Sequence, residues 1–166
     1  MALRKILTRG EPTLLKQSRP VTNFDGHLHM LLDDMRETLV DASGAGLAAP
    51  QVGVLRRAVL VMDENEEFVE LINPEILSVS GEQEGPEGCL SIPGVVGLVR
   101  RPMRVKVRAL DRFGKPFEMT GEGLTARALC HETEHLNGHL FTERVSRYLS
   151  DDELRDYSAE KKRRNG

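Results

Sequence analysis

Residues 124–137 read Leu-Thr-Ala-Arg-Ala-Leu-Cys-His-Glu-Thr-Glu-His-Leu-Asn, with Gly138 next. The stretch is predicted as a helix that stops at Asn137-Gly138, because glycine leaves a helix without steric cost. Residues four apart share one face of a helix, so the imidazoles of His131 and His135 can reach one ion. Glu132 flanks the first of them. Its carboxylate can take a proton from a water on that ion and return it later. The competing reading is a solvated, charge-rich helix face, which the His-Glu-x-x-His spacing on a helix disfavours.

A catalytic site of this kind needs a third protein ligand and an open position. Several residues are available. His139 is close but lies beyond Gly138, outside the predicted helix. The protease spacing HExxHxxGxxH matches through Gly138 and then fails, because Phe141 stands where its third histidine belongs. Glu143, Glu153 and Glu160 remain open for a site completed by a downstream glutamate. Cys89 is the other candidate. It sits in Glu87-Gly88-Cys89-Leu90-Ser91-Ile92-Pro93-Gly94, a segment bracketed by turn formers and read as a constrained loop. A lone cysteine is by default a small buried apolar side chain.

Outward from this helix, residues 24–42 are predicted as a first long helix. Leu28, Leu31, Leu32, Met35 and Leu39 recur at three- and four-residue spacing, and Ser43-Gly44 ends the pattern. The small, glycine-containing stretch at 44–54 suits a path close to another backbone or a ligand. Strand patterns follow at 57–62, 68–72, 75–80 and 104–110. Residues 116–120 are the expected partner of the last, across the turn Asp111-Arg112-Phe113-Gly114. A third helix starts near Ser150, its N-cap, with Glu153 three residues on, and ends in basic Lys161-Lys162-Arg163-Arg164. Strands in the middle and helices at the ends give an α+β class. One domain, residues 1–166, is expected, with mainly antiparallel strands around the central His-Glu-x-x-His helix.

Composition narrows the function classes. The 23 basic and 26 acidic residues give a net charge of −3, so no global field draws the chain to nucleic acid or anionic lipid. With no tryptophan and 4% aromatics, base stacking is not its trade, and specific DNA binding is not expected. Two cysteines cannot staple a chain of this length, which points to a reducing compartment. No targeting segment and no membrane-length apolar run is visible, so the expected location is the cytoplasm.

Three segments in order resemble the peptide deformylase family: Gly44-Ala45-Gly46-Leu47-Ala48-Ala49-Pro50-Gln51, Glu87-Gly88-Cys89-Leu90-Ser91 and His131-Glu132-Thr133-Glu134-His135-Leu136. The likeness runs from the N-terminal segment to about Phe141. It implies that Cys89, His131 and His135 hold one divalent metal, with ferrous iron as the native ion and zinc, nickel or cobalt able to take its place. It implies hydrolysis of the N-formyl group from N-formylmethionyl nascent peptides, releasing formate, with metal-bound water as nucleophile. Glu132 is then general base and acid, and the Gln51 side-chain amide and the Leu90 backbone N–H receive the oxyanion. Gly44 and Gly46 let the substrate backbone approach. Leu124 and Ala128 share the face of His131 and are candidates for the methionine pocket. Cys130 and Glu134 depart from the family's usual Gln and Asp, and Cys130 lies about 100° around the helix from His131, so it is not expected to ligate.

The basic tail either complements the dipole of its own helix or touches ribosomal RNA. No heptad or long exposed apolar stretch is evident, so a monomer is expected. Two other readings compete: an endopeptidase of the HExxH type, and a non-catalytic metal-binding domain. The intact Glu132 and Gln51 argue against the second, because a purely structural site needs neither.

Overall fold

The computed structural model describes residues 2–165. Met1, Gly166 and the side chains of Arg164 and Asn165 lie outside what the structure describes. The first helix, α1, spans Gly26–Asp41 and begins where Asp25 accepts a hydrogen bond from the Leu28 N–H at 3.1 Å. The stripe read from the sequence is its buried face, Leu28, Leu31, Leu32, Met35 and Leu39. The glycine-containing stretch after it becomes a short strand, β1 (Gly46–Ala48), and a 3-10 turn over Ala49–Val52.

The strands β2 (Ala58–Met62), β3 (Phe68–Ser80), β4 (Gln83–Cys89), β5 (Ile92–Arg101), β6 (Arg104–Leu110) and β7 (Pro116–Glu122) lead to the helix α2 (Leu124–Leu136). A last strand, β8 (Val145–Leu149), precedes α3 (Asp151–Asn165). They form a five-stranded sheet in the order β1-β2-β3-β6-β7 and a three-stranded sheet in the order β4-β5-β8. Every pair of named strands is antiparallel, as the α+β class requires.

Alternation along β2 explains how the larger sheet is covered. Ala58 and Leu60 face one way, into a cluster with Leu32, Met35 and Leu39 of α1. Val59 and Val61 face the other way, into a cluster with Ala126, Leu129, Cys130 and Leu136 of α2. The sheet is therefore filled from both sides, by α1 and α2. Fully burying each leucine contributes roughly 1.5–3 kcal/mol. α2 is covered nearly all round, because its opposite face meets the smaller sheet. Cys130 is one of its core residues, 7% exposed and turned to the larger sheet, away from the histidines' face.

Two local expectations are corrected. The segment Glu87–Gly94 is a hairpin rather than a loop: β4 ends at Cys89 and β5 begins at Ile92. Pro86 is tolerated because β4 is an edge strand. The two strands expected at 68–72 and 75–80 are one, β3, with a register shift between Ile72 and Glu75. Asn73 sits there at φ 51°, and its side chain exchanges hydrogen bonds of 2.8 and 2.9 Å with the Val21 backbone. The Asn-Pro pair thus marks a bulge inside one strand. β8 had no counterpart in the sequence reading.

Candidate metal centre and active site

Two elements carry the site, and a third closes it. α2 presents His131 and His135 one turn apart, and the end of β4 brings Cys89 to them. One donor atom from each lies within 4.8 Å of the others. Cys89 Sγ and His135 Nε2 are 3.3 Å apart. Two ligands of one tetrahedral zinc-sized ion sit ~3.6 Å apart, so this spacing is compatible with a shared ion. The imidazole of His131 stacks on Phe141, 5.9 Å between centroids. Phe141, at the position where the protease spacing wanted a ligand, is a buried ring packed against His131 instead.

Polar groups around these three residues fix them. Glu87, which the sequence reading quoted but gave no role, accepts from His131 Nδ1 at 2.7 Å, leaving Nε2 for an ion. Arg101 donates to both Glu87 oxygens, at 3.1 and 2.7 Å, and Arg127 adds a third donor at 2.9 Å. Burial alone would raise the Glu87 carboxyl, but the His131 and Arg101 contacts hold it at about 2. A strand reading of β4 would have found Glu87, since residues two apart on a strand share a face and Cys89 is two away.

Electrostatics divide the helix residues. Burial pushes His135 down to about 3, so it stands as the neutral imidazole a metal needs. Burial opposes charge on His131, yet neighbouring Glu132, Cys89 and Glu87 raise it well above the usual histidine value. The same anionic surroundings favour a divalent cation there. Burial pushes Glu132 up to about 7, the range of a group that both takes and returns a proton. Among the described residues, the buried Glu132 Oε1 and His135 Nδ1 have no hydrogen-bond partner. The donor set and the unpartnered carboxylate oxygen both fit a metal with a reactive ligand beside it.

Gln51, 1% exposed, is held rather than solvated. Its Oε1 accepts from the Ala48 N–H at 2.9 Å, and its Nε2 points to Ser91 Oγ at 3.1 Å and Cys89 Sγ at 3.6 Å. Leu90 lies in the turn directly after Cys89. Gly46 has a reason the sequence reading did not give: a Cβ there would stand 2.5 Å from Glu132 Oε2. At Gly44 a Cβ would meet Leu39 and Leu90 at 2.8 and 2.9 Å. Both glycines make room for neighbouring side chains of this chain.

A groove of about 510 Å³ opens over these residues. Gly44, Gly46, Gln51, Cys89, Leu90, His131 and Glu132 line it, with Leu124 and Ala128 at one end. Leu124 is 72% exposed, an apolar rim and not a closed wall. β1 is an edge strand, so its outer side faces the groove free of a strand neighbour. The alternative ligands fall elsewhere: His139 and Glu143 pair with each other in solvent, and Glu153 and Glu160 belong to α3.

Comparison with known proteins places this geometry. The family model described as "Polypeptide deformylase" matches residues 3–150. A peptide deformylase of Caldanaerobacter subterraneus subsp. tengcongensis is 56% identical over 154 residues, 93% of this chain and 96% of that one. Peptide deformylase 1 of Bacillus subtilis is 49% identical over 94% of this chain and 98% of its own. Among solved structures, a peptide deformylase from Legionella pneumophila superposes with a TM-score of 0.82 at 46% identity, covering 98% of this chain and 97% of that one. A Met-Ala-Ser-bound class I type b peptide deformylase from Acinetobacter baumannii gives 0.82 at 36% identity over 86% and 98%.

Proposed function

The chain belongs to the peptide deformylase family and hydrolyses the N-formyl amide of formylated nascent peptides, and on that premise we propose which of its residues do the work. The observation that carries the assignment is the meeting of Cys89, His131 and His135 around one point, with Glu132 buried beside it. These three would hold the divalent metal of the family. When bound, such an ion supplies a Lewis acid and a water of lowered pKa. Iron is our choice of native ion, on family membership; two imidazoles and a thiolate also suit zinc.

The chain's own groups do the rest. Glu132 takes the proton of the attacking water on the carboxylate oxygen that has no protein partner, then delivers it to the departing amine. The oxyanion formed at the formyl carbon is received by Gln51 Nε2 and the Leu90 N–H. Gln51 is fit for this because its other end is anchored to the Ala48 N–H, so the donor is aimed before substrate arrives. The peptide adds along the outer edge of β1 by main-chain hydrogen bonds beside Gly44 and Gly46. Its methionine side chain rests against Leu124 and Ala128. Glu87, through His131 Nδ1, fixes the ligand ring.

Removing the thiolate tests the ligand set. A Cys89→Ala variant should lose metal affinity by more than tenfold while keeping its fold, read by metal analysis after dialysis against chelator. Undiminished metal would overturn the assignment. We further propose a cytoplasmic monomer whose basic α3 end touches ribosomal RNA. Among the described residues, no helix is long and apolar enough to cross a membrane. Deleting residues 161–166 should weaken co-sedimentation with ribosomes at low salt. Unchanged co-sedimentation would refute the contact.

A further inference from the structure

Glu134 is one of the two departures from the family pattern, and its surroundings give it work. It follows the catalytic pair on α2 and turns to the side away from the groove. One carboxylate oxygen, Oε1, accepts from Arg101 NH1, and the other, Oε2, accepts from Arg144 Nε. Exposure falls steeply along this line: the Arg144 side chain is 57% exposed, Glu134 17% and Arg101 3%. Arg101 then passes into the site, with Nε and NH2 on the two oxygens of Glu87.

Every acceptor position of Glu87 is in use. Oε1 takes Arg101 Nε and Arg127 NH1, and Oε2 takes Arg101 NH2 and His131 Nδ1. Arg101 and His131 thus share one oxygen, each at 2.7 Å. Two buried guanidiniums, Arg101 and Arg127, face two carboxylates, Glu87 and Glu134, with the exposed Arg144 at the outer end. Removing the Glu134 charge leaves both guanidiniums to Glu87 alone. A buried cation that loses one of its anions leans harder on the other. Arg101 then competes with His131 for the shared oxygen.

We infer that Glu134 is a positioning residue for His131, acting as a two-armed clasp. Its inner arm holds Arg101 so that Glu87 stays available to the imidazole, and its outer arm anchors that arrangement to Arg144. The length of the side chain matters. Aspartate is shorter by one carbon–carbon bond, about 1.5 Å, which draws both carboxylate oxygens back from the two guanidiniums. The inference rests on His131 being a metal ligand.

The test uses the zinc-loaded full chain and two readouts: zinc release to a chromogenic chelator at neutral pH, and the proton resonance of His131 Nδ1. Glu134→Gln should release zinc roughly tenfold faster, the lower end of what a lost ligand-orienting contact costs, and should broaden or move that resonance. Arg144→Met removes only the outer arm and should show a smaller effect, about two- to threefold. Wild-type release and an unmoved resonance in Glu134→Gln would overturn the clasp, as would wild-type release in Arg144→Met. Arg144 is at the surface, so its variant keeps the test decisive even where Glu134→Gln unfolds. His131→Ala separates the two claims. Full zinc retention there counts against the ligand assignment. Lost zinc there beside an unchanged Glu134→Gln counts against the clasp alone.

Discussion

Gly46 joins the local backbone to the chemistry at the scale of a single residue. Its φ is not in the left-handed region, so alanine fits the backbone, but the added Cβ would stand 2.5 Å from Glu132 Oε2. The carboxylate must move by several tenths of an ångström. Misplacing a reacting group by about 1 Å can cost 10²-fold in rate. Gly46→Ala should therefore lower kcat by about ten- to a hundredfold at unchanged metal content, measured by steady-state formate release alongside metal analysis. An unaltered kcat would mean that Glu132 does not need its seat against residue 46. Histidine spacing and Glu132 were legible in the sequence because a helix fixes what residues four apart can do. Glu87 was missed because its segment read as a loop, which hid the face it shares with Cys89, and its partners, His131 and Arg101, lie 44 and 14 residues away.

At the scale of elements, the N-terminal segment ties the catalytic motifs together. The Ala2 N–H and Arg4 Nε bond the Asp34 carboxylate of α1 at 2.7 and 2.9 Å, and the Arg4 N–H bonds Thr38 Oγ1 at 2.9 Å. Further along, the Leu7 N–H reaches the Gln51 carbonyl at 2.7 Å and the Arg9 N–H reaches that of Ser91 at 2.8 Å. The Ala2 N–H, against opposing burial and with help from Arg4, holds the Asp34 carboxyl below the usual carboxylate value. A depressed native value stabilises the docked segment at pH above the unfolded carboxylate value, near 3.9. That stabilisation is lost as pH falls through the depressed value. Asp34→Asn should remove it at neutral pH, with faster amide exchange at Arg4 and a smaller increase at Leu7. Exchange unchanged at both would contradict the tether. Long periodic elements were readable in advance: α1 by its leucine stripe, α2 by its spacing, α3 by Ser150 and Glu153, which do exchange hydrogen bonds as a capping box. The β4–β5 hairpin was not. Gly85, Pro86, Gly88, Pro93 and Gly94 read as a loop, and only the pairing of Gln83–Cys89 with β5 makes a strand of them. β8 is short, mostly exposed and without a buried alternation to betray it.

At the scale of the whole molecule, one helix between two sheets does most of the organising. α2 packs Ala126, Leu129 and Leu136 onto the larger sheet and turns His131 toward β4 of the smaller one. The edge strand β1 and the β4–β5 turn line the same groove. α3 lies outside this arrangement; its Tyr157 hydroxyl donates to the Glu84 carbonyl of β4 at 3.2 Å. The three motifs were legible because they are short, ordered and chemically specific. How they converge was not, because each rests on a different element. In the proposed mechanism Glu132, seated on Gly46 beside the Cys89, His131 and His135 cluster, moves the proton. That role is tested most directly by formate release from formyl-Met-Ala-Ser with iron-loaded protein and an equally iron-loaded Glu132→Ala variant. Turnover is expected in the first and a loss of about 10²–10⁴-fold in the second. Retained turnover in Glu132→Ala at equal iron would contradict that role.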